Sequence, residues 1–203
     1  MERFVINPVN PQKRFVQKAL DVLNQGGLLI YPTDTVYGLG CDLHNKKAIQ
    51  KIYQIKGARK KSRLSFICPD LKNIAKYAHV SNPAYKIMKR LTPGPYTFIL
   101  QASREVPKIL LEKRKTVGIR VPDSPVCHAL LKAFGHPIIS TSARMYQDEY
   151  TINMDEIEEQ FGHAVDLILE SEEPGLHPST VIDLTAEEPE IIREGKGADR
   201  VLG

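Results

Sequence analysis

Short apolar segments alternate with amphipathic helical patterns through the first two thirds of this chain, and strand-like segments cluster towards its end. The apolar runs and the turn residues beside them predict strands at 28–31, 64–68, 96–101, 116–121, 137–140, 165–170, 180–184 and 190–193. Helices are predicted at 46–55, 81–91, 125–134 and 155–161, after a first helix that starts at Asn10 (N-cap) and Pro11 and ends at Gly26 and Gly27. This order predicts an α/β fold in which helices cover most of a sheet that carries antiparallel additions.

The length and composition of the chain indicate one globular unit. Its 203 residues, 42% apolar and 26% charged, are ordinary for a folded domain. The sequence contains no internal repeat, low-complexity tract or linker. We therefore predict a single domain over residues 1–203.

The cysteines and the apolar runs bear on location. Cys41, Cys68 and Cys127 are odd in number and lack CxxC spacing, which argues against a disulfide framework or a zinc site. The six histidines are scattered, so no metal site is predicted. No segment has the pattern of a signal peptide or a membrane span. These features predict a cytoplasmic protein with no membrane partner.

The net charge of +4 hides two segments of opposite sign. Between residues 43 and 69 there is no acid, and eight basic residues occur: Lys46, Lys47, Lys51, Lys56, Arg59, Lys60, Lys61 and Arg63. Between residues 145 and 192 there is no Lys or Arg, and fourteen acids occur. The two segments form either solvated faces or a basic surface for phosphates or nucleic acid with an acidic flank.

Polar side chains follow or begin several of the predicted strands: Thr33, Asp34, Thr35, Tyr37, Arg120, Ser140, Thr141, Ser142, Ser179 and Arg193. In open α/β sheets, ligands bind outside the strand ends, so these side chains and the 56–59 loop are predicted to converge there. Hydroxyls and guanidinium groups bind carboxylates and phosphates. Taken singly, each Ser or Thr has an ordinary alternative role in a cap or a turn. The P-loop, GxGxxG, GxSxG and HExxH motifs are absent.

Seven segments in order carry a family resemblance: GGLLIYPTDTVYGLGCD, IYQIKGARK, LTPGPYTFIL, TVGIRVPDSP, IISTSA, PSTVIDLT and IIREGKG. Over residues 16–197 the chain resembles the YrdC/YciO-type family, whose best-known members are threonylcarbamoyl-AMP synthases. PTDTVYGLG together with TVGIRVP is highly specific, and the details resemble the YciO branch more than the YrdC branch.

The resemblance implies a YrdC/RibB-like fold: a twisted open mixed sheet with helices on its faces and a large concave basic surface. It implies that L-threonine, bicarbonate and ATP, with Mg²⁺, form threonylcarbamoyl-AMP and pyrophosphate for the modification of adenosine 37 in tRNA. By position, Thr33, Tyr37 and Arg120 would bind threonine. The nucleotide would meet Ser140, Ser142, Ser179 and Arg193. Lys56 and Arg59 would be catalytic.

The chain departs from the family pattern at three proposed contacts. Ala58 stands where the family has Arg, Ser142 stands where it has Asn, and the His that often follows the basic loop falls near Ile67. Two other functions therefore remain open. One is a tRNA- or double-stranded-RNA-binding paralogue that uses Lys46, Lys47, Lys51, Lys60, Lys61 and Arg63. The other is a related enzyme for a different small acid.

Arg120 lies inside the apolar segment Gly118–Pro122. Strand alternation predicts that it faces away from Ile119 and Val121, and a charge on an inward face needs a partner. That partner is either the substrate carboxylate or a nearby acid such as Asp34 or Asp183.

Overall fold

The structure is a computed structural model that describes residues 1–57, 64–111, 115–144, 153–171, 175 and 177–202. In this part of the chain there are six α-helices: α1 (Lys13–Asn24), α2 (Lys46–Ile55), α3 (Asn82–Leu91), α4 (Pro125–Phe134), α5 (Met154–Phe161) and α6 (Asp199–Leu202). The strands are β1 (Glu2–Val5), β2 (Leu29–Tyr31), β3 (Gly38–Asp42), β4 (Ser65–Ile67), β5 (Ala78–His79), β6 (Tyr96–Ala102), β7 (Thr116–Arg120), β8 (Ile138–Ser142), β9 (Leu167–Glu170), β10 (Thr180–Asp183) and β11 (Glu190–Arg193).

The strands form a twisted, open, mixed sheet in the order β1-β9-β2-β3-β8-β4-β7-β6-β10-β11, and β5 pairs with β6. Parallel pairs join β1 to β9, β2 to β9, β4 to β7 and β6 to β10. Antiparallel pairs join β2 to β3, β3 to β8, β4 to β8, β6 to β7 and β10 to β11. The fold is therefore the mixed α/β class that the sequence predicts.

The two faces of the sheet are covered by different helices, because successive residues of a strand point to opposite sides. Leu28 and Ile30 join the apolar cluster that contains side chains of α2, α3 and α5. Leu29 and Tyr31 join a second cluster, with side chains of α1 and α4. Each face thus buries its own half of the core.

Helix boundaries follow local capping chemistry. Ser124 Oγ accepts a hydrogen bond from the Cys127 amide at the start of α4, and Gly135 ends that helix with a φ of 83°. Asn45 caps α2 in the same way through the Ala48 amide. Both helices have the predicted bounds. The first helix does not: α1 begins at Lys13 with Gln12 as its N-cap, because Asn7 accepts hydrogen bonds from the Val9 and Asn10 amides in a separate turn.

The strand prediction was incomplete in two respects. β1, β3 and β5 were not predicted, and β8 extends to Ser142 because its last residues pair with the unpredicted β3. The late strands lie in different parts of the sheet, and their partners were not predicted. β9 pairs with β1 and β2 at one side of the sheet, whereas β10 pairs with β6 near the other. Only long-range register decides these pairings.

No helix in the described ranges is long and apolar enough to cross a membrane.

Candidate functional site

A cavity of about 300 Å³ lies on the sheet face that α1 and α4 cover. Tyr31 and Ile67 belong to the core beneath those helices and also line the cavity. Arg120 lines it too, whereas its neighbour Ile119 packs on the opposite face, as strand alternation predicts. The cavity is thus on a face of the strands. Its lining includes residues inside β6 as well as the last residues of β2, β7 and β8, and a ligand position outside the strand ends stays a prediction.

Small residues in register form the floor of the cavity. Ser65 of β4 lies opposite Gly118 on one side and Ser140 on the other, and Ser140 lies opposite Gly40. Paired residues of adjacent strands point to the same face. These two serines and two glycines therefore form a row of short side chains across the strands. A Cβ on Gly118 would lie 2.6 Å from Ser65 Oγ. Neighbouring side chains thus already fill the space that a side chain at Gly118 or Gly40 would need, and only small residues fit in this row.

Arg120 is buried and forms an ion pair with Asp34. Its Nη2 atom donates to Asp34 Oδ1 at 2.5 Å, to Thr35 Oγ1 at 2.7 Å and to Thr33 Oγ1 at 3.3 Å. Of the two partners considered from the sequence, the acid is therefore the one present in this structure. Arg120 Nε and Asp34 Oδ2 are buried without a hydrogen-bond partner among the described residues. The guanidinium consequently has unused hydrogen-bonding capacity beside the cavity.

The loop between β2 and β3 forms one wall. Thr33 Oγ1 accepts from the Thr35 amide at 3.0 Å and donates to the Val36 carbonyl at 2.9 Å. Tyr37 also lines the cavity, and its hydroxyl donates to the Ser171 carbonyl and accepts from the Ser171 amide. Burial raises the pKa of Tyr37 above its ordinary value. The Thr33 hydroxyl therefore stabilises the loop, and the Tyr37 hydroxyl is held by the backbone of Ser171.

Arg193 and Ser179 form the opposite wall. Arg193 donates to the Ser179 carbonyl from Nε at 3.1 Å and from Nη2 at 2.8 Å. Its Nη2 also donates to Ser179 Oγ at 3.0 Å, and that oxygen lies 2.9 Å from Thr97 Oγ1. Desolvation and the charges of Arg144 and Arg120 lower the pKa of Arg193. Positive charge is thus concentrated around the cavity.

Lys56 lies at the C-terminal end of α2 and is only 4% exposed. Its ammonium donates to the Ser142 carbonyl at 3.1 Å and to the Arg144 carbonyl, so it holds the segment that follows β8. Burial, together with the charge of Arg144, lowers its pKa to about 8. Lys56 therefore supports the cavity from behind Ser142.

The structure brings seven predicted site residues to one cavity: Thr33, Tyr37, Arg120, Ser140, Ser142, Ser179 and Arg193. Arg59, Lys60, Lys61 and Arg63, together with Ala58, lie outside the described residues. Lys46, Lys47 and Lys51 are exposed on α2, which packs on the other sheet face. These three lysines are therefore separate from the cavity, and their role in RNA binding stays a prediction.

The lining residues that were not singled out from the sequence include Tyr31, Ser65, Thr97, Ile99 and Val181. Each belongs to a strand, and Thr97, Ile99 and Val181 lie inside their strands, whereas the predicted site residues follow or begin strands. The alternation of side chains along a strand groups some of these residues on one face. Thr97 and Ile99 share one face of β6, and Phe98 and Leu100 share the other. The sequence does not indicate which face of β6 the helices leave open to the cavity.

The cavity can bind a small ligand that carries anionic oxygens. Two guanidinium groups and several hydroxyls converge on it, and such groups bind carboxylates and phosphates. The described residues contain no group of three His, Cys, Asp or Glu side chains that could hold a metal ion. The cysteine thiols are buried, and burial raises the pKa of Cys41, Cys68 and Cys127 to about 12 each, so they are poor nucleophiles.

Comparison with known proteins identifies relatives over nearly the whole chain. The Sua5/YciO/YrdC family model, described as telomere recombination, matches residues 21–195. The uncharacterized protein YciO of Escherichia coli is 43% identical over 196 residues, which cover 96% of this chain and 95% of the relative. The crystal structure of E. coli YciO has a TM-score of 0.91 at 42% identity and covers 97% of both chains.

The names of two further relatives state an activity or a bound ligand. The threonylcarbamoyl-AMP synthase of Vibrio vulnificus is 30% identical over 184 residues, which cover 89% of this chain and 98% of the relative. The crystal structure of Pyrococcus abyssi Sua5 complexed with L-threonine has a TM-score of 0.89 at 26% identity. That alignment covers 100% of this chain and 61% of the Sua5 chain.

Proposed function

Because this chain belongs to the Sua5/YciO/YrdC family, we propose that it is a nucleotidyltransferase of the threonylcarbamoyl-AMP synthase type. In this reaction L-threonine, bicarbonate and ATP give threonylcarbamoyl-AMP and pyrophosphate. Two relatives support the choice, namely the synthase of V. vulnificus and the Sua5 protein complexed with L-threonine.

One observation carries the proposal: a single cavity of about 300 Å³ is lined by two arginines and a set of threonine and serine hydroxyls. This volume is at the small end of ligand pockets, which suits an amino acid together with part of a nucleotide. The cavity offers cationic donors for the carboxylate and the phosphates, and hydroxyl oxygens that can accept from an amine.

The two walls have different proposed roles. Arg120, Thr33 and the Tyr37 ring would bind threonine, with the carboxylate on the part of the guanidinium that Asp34 does not use. Ser179 and Arg193 would bind the adenylate from the opposite wall. Ser140 and Ser142 lie between the walls on β8, near the expected position of the α-phosphate. Mg²⁺ would enter as the counterion of ATP.

The chemistry needs positioning more than a protein nucleophile. The threonine amine and bicarbonate give a carbamate and water, and a carbamate oxygen then forms a bond to the α-phosphorus. The bond from that phosphorus to the bridging oxygen breaks, and pyrophosphate leaves with the electron pair. Alignment and neutralisation of charge account for most of the acceleration of such a transfer. Arg120 and Arg193 would supply charge, and Lys56 and Arg59 are proposed to add to it.

Calorimetric titration followed by a pyrophosphate-release assay tests the proposal. Wild-type protein should bind ATP and threonine separately, should bind each more tightly when the other is present, and should release pyrophosphate only with bicarbonate. Arg193→Gln should weaken ATP binding, whereas a Lys86→Gln control, which changes an exposed lysine on α3, should not. ATP binding without pyrophosphate release in the presence of threonine and bicarbonate would contradict the synthase and favour a different small acid.

A further inference from the structure

Thr97 carries a hydroxyl group near the start of the apolar strand β6. It lies within β6, is 7% exposed, and lines the cavity. Its methyl group lies beside Gly118, where a Cβ would be 3.3 Å from Thr97 Cγ2. Valine has the same shape and suits a strand interior at least as well. The hydroxyl is therefore the feature of this residue that needs an explanation.

The hydroxyl belongs to a chain of three polar groups. Thr97 Oγ1 lies 2.9 Å from Ser179 Oγ, and Ser179 Oγ accepts from Arg193 Nη2 at 3.0 Å. The two hydroxyl groups of Thr97 and Ser179 carry one proton each, and only one of these protons can lie between the two oxygens. Within the described chain, neither hydroxyl donates to any other acceptor. One proton of the pair is consequently available to the cavity, whichever oxygen carries it.

Three other hydroxyls of the cavity differ in this respect. Thr33 donates to the Val36 carbonyl, Ser140 donates to the Leu39 carbonyl, and Tyr37 donates to the Ser171 carbonyl. Their protons are committed to the backbone. The proton of the Thr97–Ser179 pair points to a ligand because a buried hydroxyl that lacks an acceptor costs stability.

The charge beside the pair indicates the kind of acceptor. The guanidinium of Arg193 touches Ser179, and the charges of Arg144 and Arg120 are close enough to lower its pKa. A hydroxyl donor next to a guanidinium makes two converging donors for one oxygen. An anionic oxygen gains the most from such a pair of hydrogen bonds.

We propose that Thr97 and Ser179 act as one donor pair, and that Thr97 is thereby a substrate-contacting residue for an anionic oxygen beside Arg193. The oxygen belongs to a phosphate or to a carboxylate, and the identity of the ligand as ATP or threonine rests on the proposed function. Thr97→Val removes one hydroxyl at constant shape. The lone Ser179 hydroxyl then has no neighbouring acceptor in the pair and loses its fixed orientation.

The test is equilibrium binding of ATP, L-threonine and inorganic pyrophosphate, each alone, to the wild type, Thr97→Val and Thr97→Ser. We expect Thr97→Val to weaken ATP and pyrophosphate about tenfold if the oxygen is a phosphate oxygen, or threonine by that amount if it is a carboxylate oxygen. Thr97→Ser should stay within about twofold of the wild type because it keeps the hydroxyl. The thermal midpoint without ligand should be unchanged or slightly higher in Thr97→Val.

Each outcome separates this inference from the proposed function. If the wild type binds only pyrophosphate and Thr97→Val loses that binding, the donor pair is correct and the synthase assignment is wrong. If Thr97→Val binds every ligand as the wild type does, or the wild type binds none of the three, the donor pair is wrong. If Thr97→Ser fails together with Thr97→Val, packing and not the hydroxyl is responsible, and the inference also fails.

Discussion

Arg120 holds its neighbours through a single nitrogen. All three of its hydrogen bonds to described residues leave from Nη2 and go to Asp34, Thr35 and Thr33. The rest of the guanidinium is not used in this way, and Nε is buried without a described partner. The residue thus combines a structural contact at one nitrogen with free binding capacity at the others.

Arg120→Lys should separate these two roles. A lysine ammonium has three donors, which suffice for the three acceptors, but it lacks the planar fork that binds a carboxylate with two hydrogen bonds. We expect threonine affinity to fall about tenfold or more, with little change in the thermal midpoint of the ligand-free protein. Calorimetry and thermal unfolding measure the two quantities.

Arg120→Met serves as the contrasting variant. It leaves the buried Asp34 carboxylate without its cation, so it should lower the free energy of unfolding by about 3–5 kcal/mol. If Arg120→Lys instead melts much earlier than the wild type and binds threonine normally, Arg120 has a structural role alone.

Lys56 should give the protein a recognisable pH dependence. Its pKa is lowered from 10.5 to about 8 in the folded chain by burial, with a contribution from Arg144. Between these values the unfolded chain holds a proton that the folded chain has lost, so the free energy of unfolding rises with pH across that window. The penalty of the buried charge is fully present below about pH 8 and is relieved above it.

Lys56→Met lacks this titration. The difference in unfolding free energy, wild type minus Lys56→Met, should therefore increase by roughly 3 kcal/mol between pH 7.5 and pH 10.5. Urea unfolding at several pH values measures the difference, and the titrations of cysteines and tyrosines cancel because both proteins share them. Parallel pH profiles would show that Lys56 keeps an ordinary pKa.

At the scale of the elements, β3 depends on the absence of side chains. Gly38 and Gly40 face the ring of Tyr31, whose hydroxyl is buried without a described partner and whose pKa burial raises well above its usual range. A Cβ on Gly40 would lie 3.0 Å from Tyr31 Cε1 and 2.9 Å from Ile138 Cγ2. The close approach of Tyr31 to the strand accounts for a glycine-rich sequence that was not predicted as a strand.

Gly40→Ala should lower the free energy of unfolding by about 1–3 kcal/mol, because the new methyl overpacks the space between Tyr31 and Ile138. Gly135→Ala is the matched control. No atom of the described residues lies within 4 Å of its Cβ position, so only the φ of 83° opposes the methyl group, and the cost should be about 1 kcal/mol. Chemical denaturation measures both. Equal or smaller destabilisation by Gly40→Ala would contradict the tight packing of β3.

At the scale of the whole molecule, the sheet separates two positively charged regions. Arg120 and Arg193 line the cavity on one face. Lys46, Lys47 and Lys51 are exposed on α2 over the other face, where Lys51 lies 4.0 Å from Asp166. If the basic segment binds RNA, it should do so independently of the cavity.

Lys46→Glu combined with Lys47→Glu tests the RNA-binding alternative. If each lysine binds a phosphate, the slope of log affinity against log salt should become shallower by about 0.7–0.9 for each phosphate that the variant no longer binds, for all RNA sequences alike. ATP and threonine affinities should not change. Lys86→Glu combined with Lys89→Glu on α3 makes the same change of charge elsewhere. No RNA binding by the wild type at low salt would eliminate the alternative.

Local chemistry allowed much of the architecture to be predicted from the sequence. The caps at Asn45 and Ser124 and the glycine at 135 determine α2 and α4, and the 3.6-residue pattern determines which of their side chains are buried. Alternation places Arg120 opposite Ile119. The family motifs pointed to seven residues that line one cavity. The helix bounds and the direction of Arg120 are set by neighbours within a few residues along the chain, whereas the meeting of the seven residues at one cavity is not.

Only the tertiary structure decided the strand order, the open part of the sheet face, and the partners inside the cavity. Gly38 to Asp42 forms a strand because Tyr31 and β8 pack against it, although its glycines disfavour a strand locally. Thr97 meets Ser179, and Arg120 meets Asp34, across more than eighty residues of chain. Such contacts depend on register and on helix placement, which are set by the burial of the whole core and have no local pattern in the sequence.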